Sequence, residues 1–247
     1  MNNKFKIGDY VTRKKYNNDI LFRIDKIIKN KYILSGVDLR LFADSNESDL
    51  VLSGYSNDND SLNTIEINNE NDYNYLPGKI LHIDGDKNYL KRCMDFYNIQ
   101  KIKCFGYVID EKNIKNEIIN LIKKHDPDIV VITGHDSFTK NKYRNSKFFI
   151  DAVKKIMNNY SNLIIIAGAC QSDYIGLIKS GATFASSPKR INIHALDPAI
   201  VASIISKSES NKIIDIKKLL SSTKCGSDGF GGFVIFGSMK KYYPRII

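Results

Sequence analysis

Nowhere in the 247 residues do 18 apolar residues follow one another, so no helix of membrane-spanning length is expected. The start, MNNKFKIGDY, lacks the apolar core of a secretory signal, and the expectation is a protein that stays in the cytosol, without membrane insertion. Four cysteines, Cys93, Cys104, Cys170 and Cys225, show neither CxxC spacing nor a compact framework, which argues against structural disulfides and against zinc. The acidic loops lack the spacing of a calcium site, so no metal and no cofactor is expected. Lysine and arginine are missing from residues 46–76, which hold 7 acidic groups and no basic ones. Nothing collagen-like, low-complexity or wholly disordered fits a chain with 43% hydrophobic and 26% charged residues.

What is present is a surplus of positive charge, +10 in total with pI ≈ 9.2, which raises nucleic acid as a partner. Its distribution weakens that idea. Residues 1–45 hold 10 basic and 5 acidic groups, and residues 77–247 hold 27 and 15, with the acidic stretch between them. Lysines in runs such as KKH and VKKI are spread along helices as on a solvated face, so nucleic acid is not expected as a partner. The stretch 46–76 is rich in Asn, Asp and Ser and reads as a linker, with its DLVL start the one part able to order.

Before the linker, the runs FKIGDYVTR, ILFRIDKIIK and KYILSGVDLRLF are β-rich and separated by polar turns, which predicts a small SH3-like β-barrel over 1–45. Arg13, Lys14, Lys15 and Tyr16 there suit a docking or nucleic-acid surface; the plainer reading is a solvated basic turn. From Leu76-Pro77-Gly78 onward, nearly continuous apolar runs at 79–83, 101–109, 128–134, 162–168 and 182–186 alternate with helix-length stretches at 87–98, 111–124, 146–160 and 172–180. A further helix is expected at 198–207. Strands buried on both faces and joined by helices make an α/β/α sandwich with a mostly parallel sheet over 77–247.

Functional groups in such sheets gather where the strands end at their carboxyl side. The first strand is followed by Asp84-Gly85-Asp86, the third by Gly134-His135-Asp136 and the fourth by Gly168-Ala169-Cys170. Cys170 is expected at the entrance of helix 172–180, where the helix dipole would lower its pKa. His135, at the end of the neighbouring strand, can act as general base and acid, and the pair supports acyl transfer through a thioester. A lone cysteine is more often a core residue, the reading given to Cys93 and Cys104. Among the other histidines, His82 lies inside the first strand, His125 in a loop before Pro127, and His194 is the one competitor for the role of base.

Two alternatives are a glutamine-amidotransferase-like amidase and a non-catalytic flavodoxin-like scaffold. The first wants glycine two residues after the nucleophile, where Ser172 stands, and a histidine after the cysteine rather than before it. The second wants phosphate-binding glycines after the first strand, where the acidic Asp84-Gly85-Asp86 lies.

An apolar strand ending in His followed by one ending in Ala-Cys resembles the caspase-like, clan CD cysteine peptidases, although the interval of 35 residues (170 − 135) is shorter than the roughly 50 of caspases. Over nearly the whole chain the blocks KIGDYVTRKKYNNDILFRI, LPGKILHIDGD, VITGHDSFTK, AGACQSDY and ATFASSPKRINIHALDP are similar to the YabG sporulation-specific protease family of endospore-forming bacteria. That resemblance implies a caspase-like cysteine endopeptidase in the mother-cell cytoplasm, associated with the forming spore coat. Its substrates would be proteins of the coat and cortex machinery, cut after basic residues, chiefly Arg. His135 and Cys170 would be base and nucleophile, and the backbone N–H groups of Asp136 and Cys170 would serve the oxyanion. Asp136 departs from the glycine that caspase-like enzymes usually carry after the histidine. A buried guanidinium needs a carboxylate partner, and Asp84 and Asp86 are the leading substrate-binding residues, with Asp136 and Asp173 as alternatives.

Overall fold

The computed structural model describes residues 4–37, 42–54 and 73–242, and the chain divides into two compact units, Met1–Ile67 and Asn68–Ile247. In the first unit, β1 (Tyr10–Arg13), β2 (Phe22–Ile28), β3 (Lys31–Gly36), β4 (Phe42–Asn46) and β5 (Leu50–Leu52) form an antiparallel sheet in the order β4-β3-β2-β1-β5. Alternation along the strands turns Phe22, Ile24, Tyr32 and Leu34 inward onto Phe5, Val11 and Leu50, while Arg23 between them stays exposed. The buried Tyr32 hydroxyl finds its acceptor in Glu47 Oε2 at 2.8 Å. β5 lies inside the stretch that charge counting gave to the linker. Its Leu50, Val51 and Leu52 pair with Arg13, Thr12 and Val11, so the sheet continues past residue 45. Residues 55–72 of that stretch lie outside the described residues.

The second unit contains β6 (Asn74–Leu76), β7 (Ile80–Asp84), α1 (Lys87–Ile99), β8 (Cys104–Val108), α2 (Glu111–His125), β9 (Ile129–Thr133), β10 (Phe138–Thr139), β11 (Lys142–Tyr143), α3 (Ser146–Met157), β12 (Ile164–Ala167), α4 (Tyr174–Lys179) and β13 (Phe184–Ser186). It ends with α5 (Asp197–Lys207), α6 (Ile216–Ser221), α7 (Gly226–Gly229), β14 (Phe230–Gly232) and β15 (Lys240–Tyr242). The central sheet runs β14-β13-β12-β9-β7-β8, parallel throughout except for β14. Two small antiparallel pairs, β10 with β11 and β6 with β15, flank it. The mixed α/β architecture with a mostly parallel sheet is the one the apolar runs predict.

The period of two along a strand divides this core into two layers. Leu81 and Ile83, Val130 and Ile132, and Ile165 and Ala167 face α2, α3 and α4. Ile80, Ile129, Val131 and Ile166 face α1, α5 and α6. Each helix presents one apolar stripe to its layer: in α2 it is Ile114, Ile118, Leu121 and Ile122, spaced at one helical face. Asp110 caps that helix through Lys112 N–H, and Lys123 and Lys124 close it against the dipole. His125, expected in a loop, is the last residue of α2; it stacks on Phe105 with centroids 4.0 Å apart and meets the Tyr107 hydroxyl at 2.6 Å. No helix of the described residues is long and apolar enough to cross a membrane.

Ile118 is fully buried in the α2 stripe whereas Glu117 beside it is exposed. Ile118→Ala should lower unfolding free energy by about 2–5 kcal/mol in urea titration. Glu117→Ala should stay within about 0.5 kcal/mol.

Candidate active site

The carboxyl ends of β7, β9 and β12 open on a cleft of about 260 Å³ lined by Asp84, His135, Cys170 and His194, with Tyr89 and Arg92 from α1 on its rim. Because β9 pairs with both β7 and β12, the loops carrying Asp84, His135 and Cys170 emerge side by side. The two loops that carry a histidine and a cysteine are thus neighbours, as the strand order in the sequence suggested.

The loop after β7 uses its two aspartates differently. Asp84 is buried; its Oδ1 accepts the Asp86 N–H at 2.7 Å and its Oδ2 accepts the Thr133 hydroxyl at 2.7 Å. Burial pushes its carboxyl pKa up, against the pull of those two donors. Asp86 is the N-cap of α1: its Oδ1 accepts Asn88 N–H at 2.7 Å and Tyr89 N–H at 3.2 Å, and those backbone donors hold its pKa down. Its other oxygen, Oδ2, lies 3.2 Å from His135 Nε2. Both were read from the sequence as substrate-binding carboxylates. The structure engages both oxygens of each, those of Asp86 with its own helix and His135 and those of Asp84 with Asp86 N–H and Thr133, and of the two only Asp84 is among the residues lining the cleft.

His135 is held by its backbone as well as its ring. Its N–H donates to Glu111 Oε1 at 2.7 Å and its carbonyl accepts from Asn145 Nδ2 at 2.7 Å. Gly85 and Gly134 flank the Glu111 carboxylate so closely that a Cβ on either would stand 2.5 Å from Oε1. Glu111 and Asn145 have no signature in the sequence: one opens a helix and the other precedes one, and only the tertiary fold turns them onto His135.

Asp136 is buried and accepts from the backbone N–H of Ser137 (2.8 Å) and Asn145 (2.7 Å) and from the hydroxyls of Ser146 and Ser172 (3.1 Å). Its side chain is therefore committed inside the protein. Asp173 is likewise committed, capping α4 through Gly176 N–H at 3.0 Å.

Cys170 stands half-buried with its Sγ 3.4 Å from the donating Ile193 N–H. The expectation that it opens a helix is corrected: α4 starts at Tyr174 behind its own cap, Asp173, and Gln171 at φ 56° turns the chain away in between. A helix of six residues beginning four positions later does not aim its N-terminal dipole at this sulfur. Ahead of the cysteine, Gly168 at φ +113° leaves no room for a Cβ beside Ser186 Oγ and Leu177, so a glycine is required for the turn.

His194 lines the same cleft, its Nδ1 accepting from Leu196 N–H at 3.3 Å. Cys93 is buried, its thiol pushed up to about 12 by desolvation, and burial likewise raises Cys104. Cys225 is raised by burial and by the nearby Asp197, a fully buried carboxylate that accepts the N–H groups of Lys224 and Cys225.

Residues 6–69 and 55–244 match the family model described as YabG peptidase U57. The Sporulation-specific protease YabG of Bacillus subtilis (strain 168) is 37% identical over 285 aligned positions that cover 98% of this chain and 98% of that protein. With a peptidase family matched along nearly its whole length, and a cysteine and two histidines around one cleft, this chain belongs to the YabG peptidase family.

Proposed function

We propose that this peptidase is a cysteine endopeptidase of sporulation. It acts in the mother-cell cytoplasm at the forming spore coat and cuts coat and cortex proteins after basic residues, chiefly Arg. The observation that carries the reading is that Cys170 and His135, from adjacent parallel strands, line one cleft together with the buried Asp84. In this reading the central sheet and its helices are a caspase-like sandwich and the amino-terminal sheet is an SH3-like module.

Cys170 Sγ attacks the scissile carbonyl carbon while the thiol proton passes to His135 and the carbonyl electron pair moves onto oxygen. The tetrahedral oxyanion receives the backbone N–H groups of Cys170 and Asp136, neither of which has a hydrogen-bond acceptor among the described residues. Collapse breaks the C–N bond, His135 returns the proton to the leaving amine, and a thioester remains. Water then attacks that thioester, giving its proton through His135 to the departing sulfur. Asp86 at Nε2 leaves Nδ1 as the ring nitrogen for the thiol. Asp84 receives the substrate guanidinium.

Cys170→Ala and His135→Ala are each expected to reduce kcat/KM on an Arg-containing protein substrate by about 10³-fold or more with the circular dichroism spectrum retained. Cleavage retained in Cys170→Ala would sink the mechanism; an inactive His194→Ala beside an active His135→Ala would transfer the role of base to His194. Because Glu111 fixes the His135 backbone, Glu111→Ala should lower kcat about 10–100-fold with KM little changed, and Glu111→Gln, which keeps an acceptor oxygen, should recover part of that loss. A change confined to KM would show that Glu111 does not act through His135.

A further inference from the structure

Behind the cleft lies a line of polar side chains that the proposed chemistry does not use. On β7, positions 80, 82 and 84 share a face, and in register with them on β9 stand 129, 131 and 133, so His82, Asp84 and Thr133 all turn toward α1. There His82, fully buried, meets Tyr97, also fully buried. The Tyr97 hydroxyl lies 3.0 Å from His82 Nδ1, His82 Nε2 lies 3.0 Å from Thr133 Oγ1, and the Thr133 hydroxyl reaches Asp84 Oδ2 at 2.7 Å.

The direction of this chain follows from counting protons. Burial pushes the His82 imidazole down to about 3, so the ring is neutral and carries a single N–H. If that proton were on Nδ1, it would point at Tyr97, whose own hydroxyl proton has no other partner among the described residues and would be buried unpaired. With the proton on Nε2, Tyr97 donates to Nδ1 and Nε2–H donates to Thr133. Thr133 then has two acceptors within reach, Ile83 O at 3.4 Å and Asp84 Oδ2 at 2.7 Å, and the shorter bond, to a carboxylate, takes its proton. Every donor in the line faces Asp84.

We propose that His82 is a positioning residue for substrate selectivity: locked as the Nε2–H tautomer by Tyr97, it orients Thr133 as a donor and keeps Asp84 an ionised acceptor for a cationic side chain in the cleft. This rests on the reading that Asp84 receives the guanidinium. Asp84 Oδ2 also lies 3.9 Å from His82 Nε2, its charge is felt with those of Asp86, His135 and Cys93, and it shares the cleft lining with Arg92, Cys170 and His194. The carboxylate is present above its raised pKa and is lost as pH falls through it, so preference for Arg weakens toward acid. Removing the Thr133 donor takes away a bond to the charged form and moves that loss to higher pH.

The test uses the full chain and a pair of peptides carrying Arg or its uncharged isostere citrulline. Thr133→Val should reduce the Arg-over-citrulline ratio of kcat/KM about tenfold and shift its acid limb upward, while Thr133→Ser should restore both. In 15N-histidine spectra the His82 ring should give the Nε2–H pattern unchanged between about pH 5 and 8, and Tyr97→Phe should release it to a mixture of tautomers. An Nδ1–H pattern in the unmodified protein, or an unaltered Arg preference in folded Thr133→Val, overturns the relay. Asp84→Asn separates the two readings. If it abolishes Arg preference while Thr133→Val does not, Asp84 keeps its role and the relay falls; if it leaves the preference intact, the role of Asp84 falls and the relay with it.

Discussion

The arrangement of the cleft depends on one buried carboxylate. Asp136 follows the histidine in sequence and receives four donors: two backbone N–H groups and the hydroxyls of Ser146 and Ser172. Ser172 in turn accepts the Ala169 N–H at 2.9 Å, and Ser146 accepts the Asp173 N–H at 2.8 Å. The histidine loop, the start of α3 and the cysteine loop are thereby tied through a single side chain. A buried carboxyl group costs free energy unless its lone pairs are filled, and here four hydrogen bonds fill them. Loss of any one donor would leave part of that cost uncompensated, so the loops hold one relative position.

On the other side of His135 a second set of acceptors does comparable work. Asp86 and Glu111 are both at helix starts, where a carboxylate is favoured by the dipole, and each extends one oxygen to the histidine. Helix α1 thus fixes the ring and helix α2 fixes the backbone. Asp84 and Asp86, two residues apart, end with opposite shifts because one is desolvated in the sheet's end and the other is fed by free N–H groups of a helix. Identity and spacing of the two aspartates are the same kind of information; their environments decide what each can do.

Much of this is legible in the amino-acid sequence, and the reason is periodicity. Apolar runs at 128–134 and 162–168 mark β9 and β12, and the residues after them, His135 and Cys170, come together because parallel strands place their carboxyl ends on one edge. Asp84 and Asp86 were legible as residues of that edge but not by role, since capping by Asp86 depends on where α1 begins. The helix at Cys170 was misplaced because Gln171 takes a left-handed conformation that nothing in AGACQSD signals. β5 was legible only in part: the DLVL run stood out as the one piece of the Asn- and Asp-rich stretch able to order, but three residues carry too little pattern to be assigned to the sheet. Glu111, Asn145 and His82 act through contacts that cross 10 to 51 positions of sequence, which periodicity does not encode.

The charge of the chain can now be placed on a length scale. A net +10 sets a far field that repels basic segments, but at physiological ionic strength it is screened over about 8 Å. Inside the cleft the distances are those of contact, where screening by salt counts for least. In the proposed reading Asp84 meets a guanidinium there, and a contact pair of that kind outweighs the repulsion from dispersed lysines outside. Arg92 is the one Lys or Arg side chain among the residues lining the cleft, a cation close enough to matter there. In the proposed reading, selectivity for a cation on a basic protein rests on Asp84 staying ionised where it is buried.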